Sequence, residues 1–166
     1  MEKHILSVLV ENHAGVLSKV AGLFSRRGFN IDSLAVGITH DPTISRITIE
    51  VTGDENTVEQ ISKQLNKLID VIKIKTLKSH DAVKRELVLV KIRTSSKNRS
   101  EVVQIMDIFR ANIVDLSQTT VTAQITGDDS KINAFLEMLE PFGIEEMSRT
   151  GMIALERGTS ILKADK

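Results

Sequence analysis

The chain has 166 residues, 41% hydrophobic and 27% charged, with 22 Lys and Arg balancing 22 Asp and Glu. That length suits one domain or two small ones, and zero net charge offers no electrostatic funnel for nucleic acid or an anionic membrane. Cysteine, Trp and Tyr are absent, which excludes disulfides, thiol nucleophiles and Cys-based metal centres, and argues against aromatic base-stacking platforms.

No apolar run approaches the length of a membrane span. Lys3 and His4 interrupt the N-terminus where a signal-peptide core would lie. A cytoplasmic location is expected. Residues 5–10 are apolar and β-branched, a short buried strand. A polar loop ending at Gly15 follows. Residues 16–27 predict a helix with Leu17, Val20, Ala21 and Phe24 as its inner stripe, stopped by Gly28. Residues 31–38 and 44–52 predict strands joined by the turn His40-Asp41-Pro42-Thr43. Gly53-Asp54 opens a second helix carrying Val58, Ile61, Leu65 and Leu68, and residues 71–77 alternate as a strand with Ile72 and Ile74 on one face. The order β-α-β-β-α-β is the ferredoxin-like unit.

The order then recurs. Strands are predicted at 86–93, 113–117, 120–126 and 144–149, and helices at 99–111 and 129–139. Thr52-Gly53-Asp54 and Thr126-Gly127-Asp128 match 74 residues apart, whereas Asn30-Ile31 and Asn112-Ile113 match 82 apart. The second hairpin is therefore shorter by eight residues. The expected fold class is α+β, two tandem ferredoxin-like domains at 1–78 and 85–158, with a linker at 79–84 and a loose tail at 159–166.

Few residues offer chemistry. His4, His13, His40 and His80 show no metal-ligand spacing and no carboxylate cluster around them, so they read as solvated. The acids Asp54-Glu55 and Asp128-Asp129 follow Gly at helix starts and read as caps. Lys73, Lys75, Lys84 and Arg85 read as wet strand edges. The loop Asn12-His13-Ala14-Gly15-Val16-Leu17 is different, because it joins a buried strand to a helix whose free N–H groups can receive an anion. It lacks the repeated Gly and Lys of a phosphate loop and the Arg of an acyl-phosphate hydrolase; a single carboxylate, as on an aliphatic amino acid, suits it. The corresponding positions 82 residues on are Thr94 and Lys97, so the second half lacks that Gly.

The runs 5–18, 28–34 (Gly-Phe-Asn-Ile-Asp-Ser-Leu), 41–46 (Asp-Pro-Thr-Ile-Ser-Arg) and 86–92 resemble the small, regulatory subunit of acetolactate synthase. The resemblance covers essentially the whole chain. It implies an N-terminal ACT domain, a ligand-sensing ferredoxin-like unit, and an ACT-like C-terminal domain. It further implies a subunit without an active site or cofactor of its own. Its partner is then the large catalytic subunit, which uses thiamine diphosphate, Mg²⁺ and FAD. In that family two ACT domains pair as a homodimer, and valine or another branched-chain amino acid binds between them. The resemblance implies that Asn12, His13, Ala14, Gly15, Val16 and Leu17 come from one chain and Asn30 and Ile31 from the other, with His13 contributing its backbone. Each Asn amide can donate to a carboxylate and accept from an ammonium.

Three other readings compete. An RNA-binding ferredoxin-like protein lacks its strand aromatics here. A small stand-alone enzyme lacks a base–nucleophile pair. A free-standing amino-acid sensor with a different partner shares the loop and differs only in what it regulates.

Overall fold

A computed structural model describes residues 2–164; Met1 and the last two residues of the expected tail lie outside the described residues. The chain forms two compact units, residues 2–83 with 152–164, and residues 84–151. Among the described residues no helix is long and apolar enough to cross a membrane.

The first unit runs β1 (Glu2–Glu11), α1 (Val16–Arg27), β2 (Ser33–Ile38), β3 (Ile44–Gly53), α2 (Glu55–Leu65) and β4 (Val71–Leu77). The antiparallel sheet has the order β2-β3-β1-β4, the expected ferredoxin-like arrangement. Alternation decides the core: Leu6, Val8 and Val10 of β1 and Ile47, Ile49 and Val51 of β3 meet α1 and α2. Burial on this face is the main stabilising term.

Two details differ from the sequence expectation. On α1 the inner face is Val16, Val20, Leu23 and Phe24, while Leu17 is 41% exposed. Both stripes satisfy a helical period; turning Val16 inward swings Leu17, about 100° further round, toward solvent. On β4, the register shifts opposite Leu9/Val10, so Val71 and Ile74 pack on the core while Ile72 is displaced outward.

The second unit contains most of β5 (Ala82–Arg93), then α3 (Arg99–Phe109), β6 (Asn112–Leu116), β7 (Thr120–Gly127), α4 (Asp129–Leu139) and β8 (Ile144–Arg149), in the order β6-β7-β5-β8. Val88, Val90, Ile92, Val102, Met106, Ile132 and Phe135 form its core. Helix α3 stops two residues short of its expected end at Ala111. Arg110 turns left-handed at φ 56, and the Ala111 N–H donates to the Met106 carbonyl at 2.8 Å, a helix-closing turn.

The stretch 79–84, expected as a linker, holds a 3₁₀ turn (Ser79–Asp81) and the start of β5. Residues 153–158, expected in the second domain, include β9 (Ile153–Glu156), which pairs with β5 and clusters with the first unit. Ala154 is buried with Ile5, Leu77 and Ala82, Met152 N–H donates to Ser33 Oγ at 2.9 Å, and Lys75 pairs with Glu156. The apolar positions here are too few and too short in period to be recognised without the sheet they cover.

Candidate functional site

The site begins where β1 ends. Antiparallel pairing places Glu11 opposite Ile44, so the loop 12–15 leaves the sheet beside the β2–β3 turn. Asn12 fixes it there: its N–H donates to Thr43 O at 2.8 Å and its Nδ2 to Pro42 O at 2.8 Å. Gly15 then adopts φ 89, ψ −12, a left-handed conformation that opens α1 with no side-chain cap. The first N–H groups of a helix have no intrahelical acceptor. Here the helix end also carries the positive pole of its dipole. A Cβ at Gly15 would meet nothing within 4 Å; the glycine is required by its φ, and the space in front of it is open.

The remaining expected site residues divide by exposure. Ala14 is exposed, Val16 is buried in the core and Leu17 stands outward. Asn30 and Ile31 lie near the other end of the sheet, since Asp32 N–H donates to Glu50 O at 2.9 Å and Ser33 pairs with Glu50. Asn30 is exposed and its Nδ2 donates to Asp32 Oδ1 at 3.0 Å, and Ile31 is half-buried against the core. Within one chain the two groups of residues therefore do not meet.

His13 corrects the expectation that no carboxylate cluster gathers around the histidines. Its Nε2 lies 3.2 Å from Glu11 Oε2 and 2.9 Å from Asp70 Oδ1, and its Nδ1 lies 3.2 Å from Ala14 O. Lys19 Nζ holds the other Asp70 oxygen at 2.6 Å. Asp70 stands 57 positions from His13 in sequence, yet it directly precedes β4, and β4 lies antiparallel beside β1. That topology, once assigned, was the available signal for Asp70; Lys19 follows as the residue one helical turn beyond Gly15. The ligand atoms of Glu11, His13 and Asp70 lie within 4.8 Å of one another. Because both ring nitrogens face acceptors, the geometry favours the doubly protonated imidazolium. Its pKa is raised, first by the Ala14 carbonyl, then by Asp70 and Glu11. The Lys19 ammonium, with His13, holds Asp70 below the ordinary carboxylate value.

The equivalent loop of the second unit is built otherwise. Thr94 N–H donates to Thr119 O at 2.7 Å, as Asn12 does to Thr43. Asn98 Oδ1 then accepts from Ser95 N–H at 2.7 Å, filling with side chains the turn that Gly15 leaves open. The acids at the helix starts act as expected. Asp54 accepts from Thr57 N–H at 2.7 Å and Asp128 from Lys131 N–H at 3.0 Å; the Thr57 side chain and then its N–H lower the Asp54 pKa, and the Lys131 N–H lowers that of Asp128.

Comparison with known proteins agrees with this architecture. Residues 6–73 match the model of the AHAS small subunit-like ACT domain, and residues 85–158 match that of the small subunit of acetolactate synthase. An acetolactate synthase small subunit from Aquifex aeolicus is 50% identical over 162 residues, covering 97% of this chain and 84% of the relative. The chain belongs to the acetolactate synthase small subunit family. A second family member, from Mycobacterium leprae, is 50% identical over 155 residues, 93% of this chain and 92% of the relative. The crystal structure of the acetolactate synthase small subunit from Thermotoga maritima superposes with a TM-score of 0.89 at 41% identity, covering 96% of this chain and all of that one. As a small subunit with an ACT domain, this family member has a regulatory role. The left-handed Gly15 and the uncapped start of α1 lie in its ACT portion.

Proposed function

We propose that this small subunit binds the large, catalytic subunit of acetolactate synthase, raises its activity, and makes it sensitive to valine or another branched-chain amino acid. The thiamine diphosphate, Mg²⁺ and FAD belong to that partner. The observation that carries this reading is the open, positively polarised start of α1 behind left-handed Gly15. An amino acid's carboxylate fits there, beside exposed Leu17, which offers an apolar contact to an aliphatic side chain.

The second half of the site is proposed to come from another copy. Asn30 and Ile31 lie at the opposite end of β3 from the loop 12–17, so one chain cannot close around a small ligand. Strand β2 is an edge of its sheet, and its Val36 and Ile38 are 49% and 64% exposed. An edge of that kind is suited to pairing with its own symmetry mate. Two-fold pairing then gives two sites, each made from one chain's loop and the other's Asn30. Binding across such an interface gives the effector different affinities for different packings, which allosteric control requires. Titrating the reconstituted holoenzyme with valine, leucine and isoleucine tests this reading and identifies the preferred effector. An unchanged rate with all three overturns it.

A further inference from the structure

The helix-free side of the first unit contains an open cleft of about 1390 Å³, bounded by the loop 11–13, the β2–β3 turn and residues 162–164. Its apolar walls include Leu9, Ile44, Ile72 and Leu162. Ile72 reaches it because the β4 irregularity described above turns that side chain out of the core.

Arg46 is one of several polar groups of this cleft, with Asn12, Thr39, His40 and Lys163 among the others. The Arg46 guanidinium donates to two neutral oxygens, Ser7 Oγ at 3.2 Å and Leu162 O at 3.4 Å. Among the described residues no carboxylate lies within ion-pair distance of it. The two acids on the cleft wall are engaged elsewhere: Asp41 accepts from Thr43 N–H at 2.9 Å and Thr43 Oγ1 at 2.6 Å, and Glu11 faces His13. Burial lowers the Arg46 pKa. A partly desolvated guanidinium that donates only to neutral oxygens among the described residues is receptive to an anion. It keeps N–H donors in a planar fork that matches a carboxylate.

We propose that this cleft is a second ligand site, which takes a small carboxylate with a short aliphatic body. The carboxylate pairs with Arg46, and the aliphatic body packs on Leu9, Ile44 and Ile72. A few convergent polar groups in an apolar cleft are the usual make-up of a small-molecule site. The cleft borders the loop 11–13 that leads to the start of α1, but its anion-binding group is Arg46 rather than the N–H groups of that helix.

The test uses the full chain and follows the Arg46 Nε–H signal by NMR, assigned by its loss in Arg46→Lys. Isovalerate, 2-oxoisovalerate and valine are titrated in separate samples, with sodium chloride as the anion control. Saturable movement of the Arg46 signal by isovalerate is expected. Comparison of the 2-oxo acid with valine then shows which source of carboxylate the cleft prefers. Read by calorimetry, Arg46→Gln should weaken isovalerate binding at least ten-fold and Arg46→Lys less, while in Gly15→Asp the Arg46 signal still moves as in the parent. The proposal is overturned if no carboxylate moves the signal or if chloride moves it equally at the same concentration. It is also overturned if Gly15→Asp abolishes binding. Observation of Arg46 in the unmodified chain keeps the test decisive should Arg46→Gln fail to fold.

Discussion

Replacing Gly15 by Asp separates two effects that the structure allows to be sized. Gly15 sits at φ 89, where an L residue costs about 1–2 kcal/mol. An added Cβ meets nothing within 4 Å, so the Cβ itself adds no steric cost. The carboxylate enters the place proposed for the effector's own. Two like charges about 4 Å apart repel by about 1 kcal/mol in water and about 4 kcal/mol at an effective dielectric of 20. Effector affinity should therefore fall by about five-fold to several hundred-fold. Gly15→Ala carries the backbone cost alone and separates strain from charge. The assays are valine inhibition of the reconstituted holoenzyme and the urea midpoint of the isolated chain. Both variants should lose similar stability, but Gly15→Asp should lose far more inhibition. Inhibition of Gly15→Asp at the parent's valine concentration would refute the placement of the effector at this loop.

Asn30→Ala should weaken the effector response by about 1–3 kcal/mol, the scale of an unpaired buried polar group, as measured by calorimetry with valine; an unchanged affinity removes Asn30 from the site. For His13, whose pKa is raised in the fold, the protonated ring carries the stabilising contacts. The stability gap between the parent and His13→Gln should be full below the ordinary imidazole pKa of about 6.5 and vanish as pH rises through the raised value; urea midpoints at pH 5.5 and 8.5 check this. Deleting residues 152–166 removes Ala154 from its buried contacts and Glu156 from Lys75. It should lower the melting temperature of the first unit by about 5–10 °C, corresponding to one or two kcal/mol; an unchanged melting curve contradicts the packing described.

The ferredoxin-like order was legible because local signals agreed with the tertiary outcome. The bounds of α1 follow from Gly15 and Gly28, and the caps at Asp54 and Asp128 follow from the repeated Gly-Asp. Contacts made by pairing distant segments were not legible. Asp70 reaches His13 only through the β1–β4 ladder. Ile72 leaves its expected face because of a register shift that no local pattern encodes. The stripe on α1 was misphased because Val16 and Leu17 are both apolar, and only packing selects between them. The segment 152–164 was unreadable for a similar reason: its few anchors, Ala154 and Glu156 among them, acquire meaning only against Ile5, Leu77 and Lys75. For the candidate site, the loop and its glycine were visible in sequence, while the separation of Asn30 and Ile31 from that loop required the strand register.

On the proposed function, this chain acts by regulating a catalytic partner. The most direct measurement is acetolactate formation from pyruvate by the matching large subunit, alone and after adding this chain, with and without valine. The chain alone should form no acetolactate, adding it should raise the large subunit's rate, and valine should then lower the raised rate. A large subunit whose rate and valine response are unchanged by saturating amounts of the chain would contradict the proposed function.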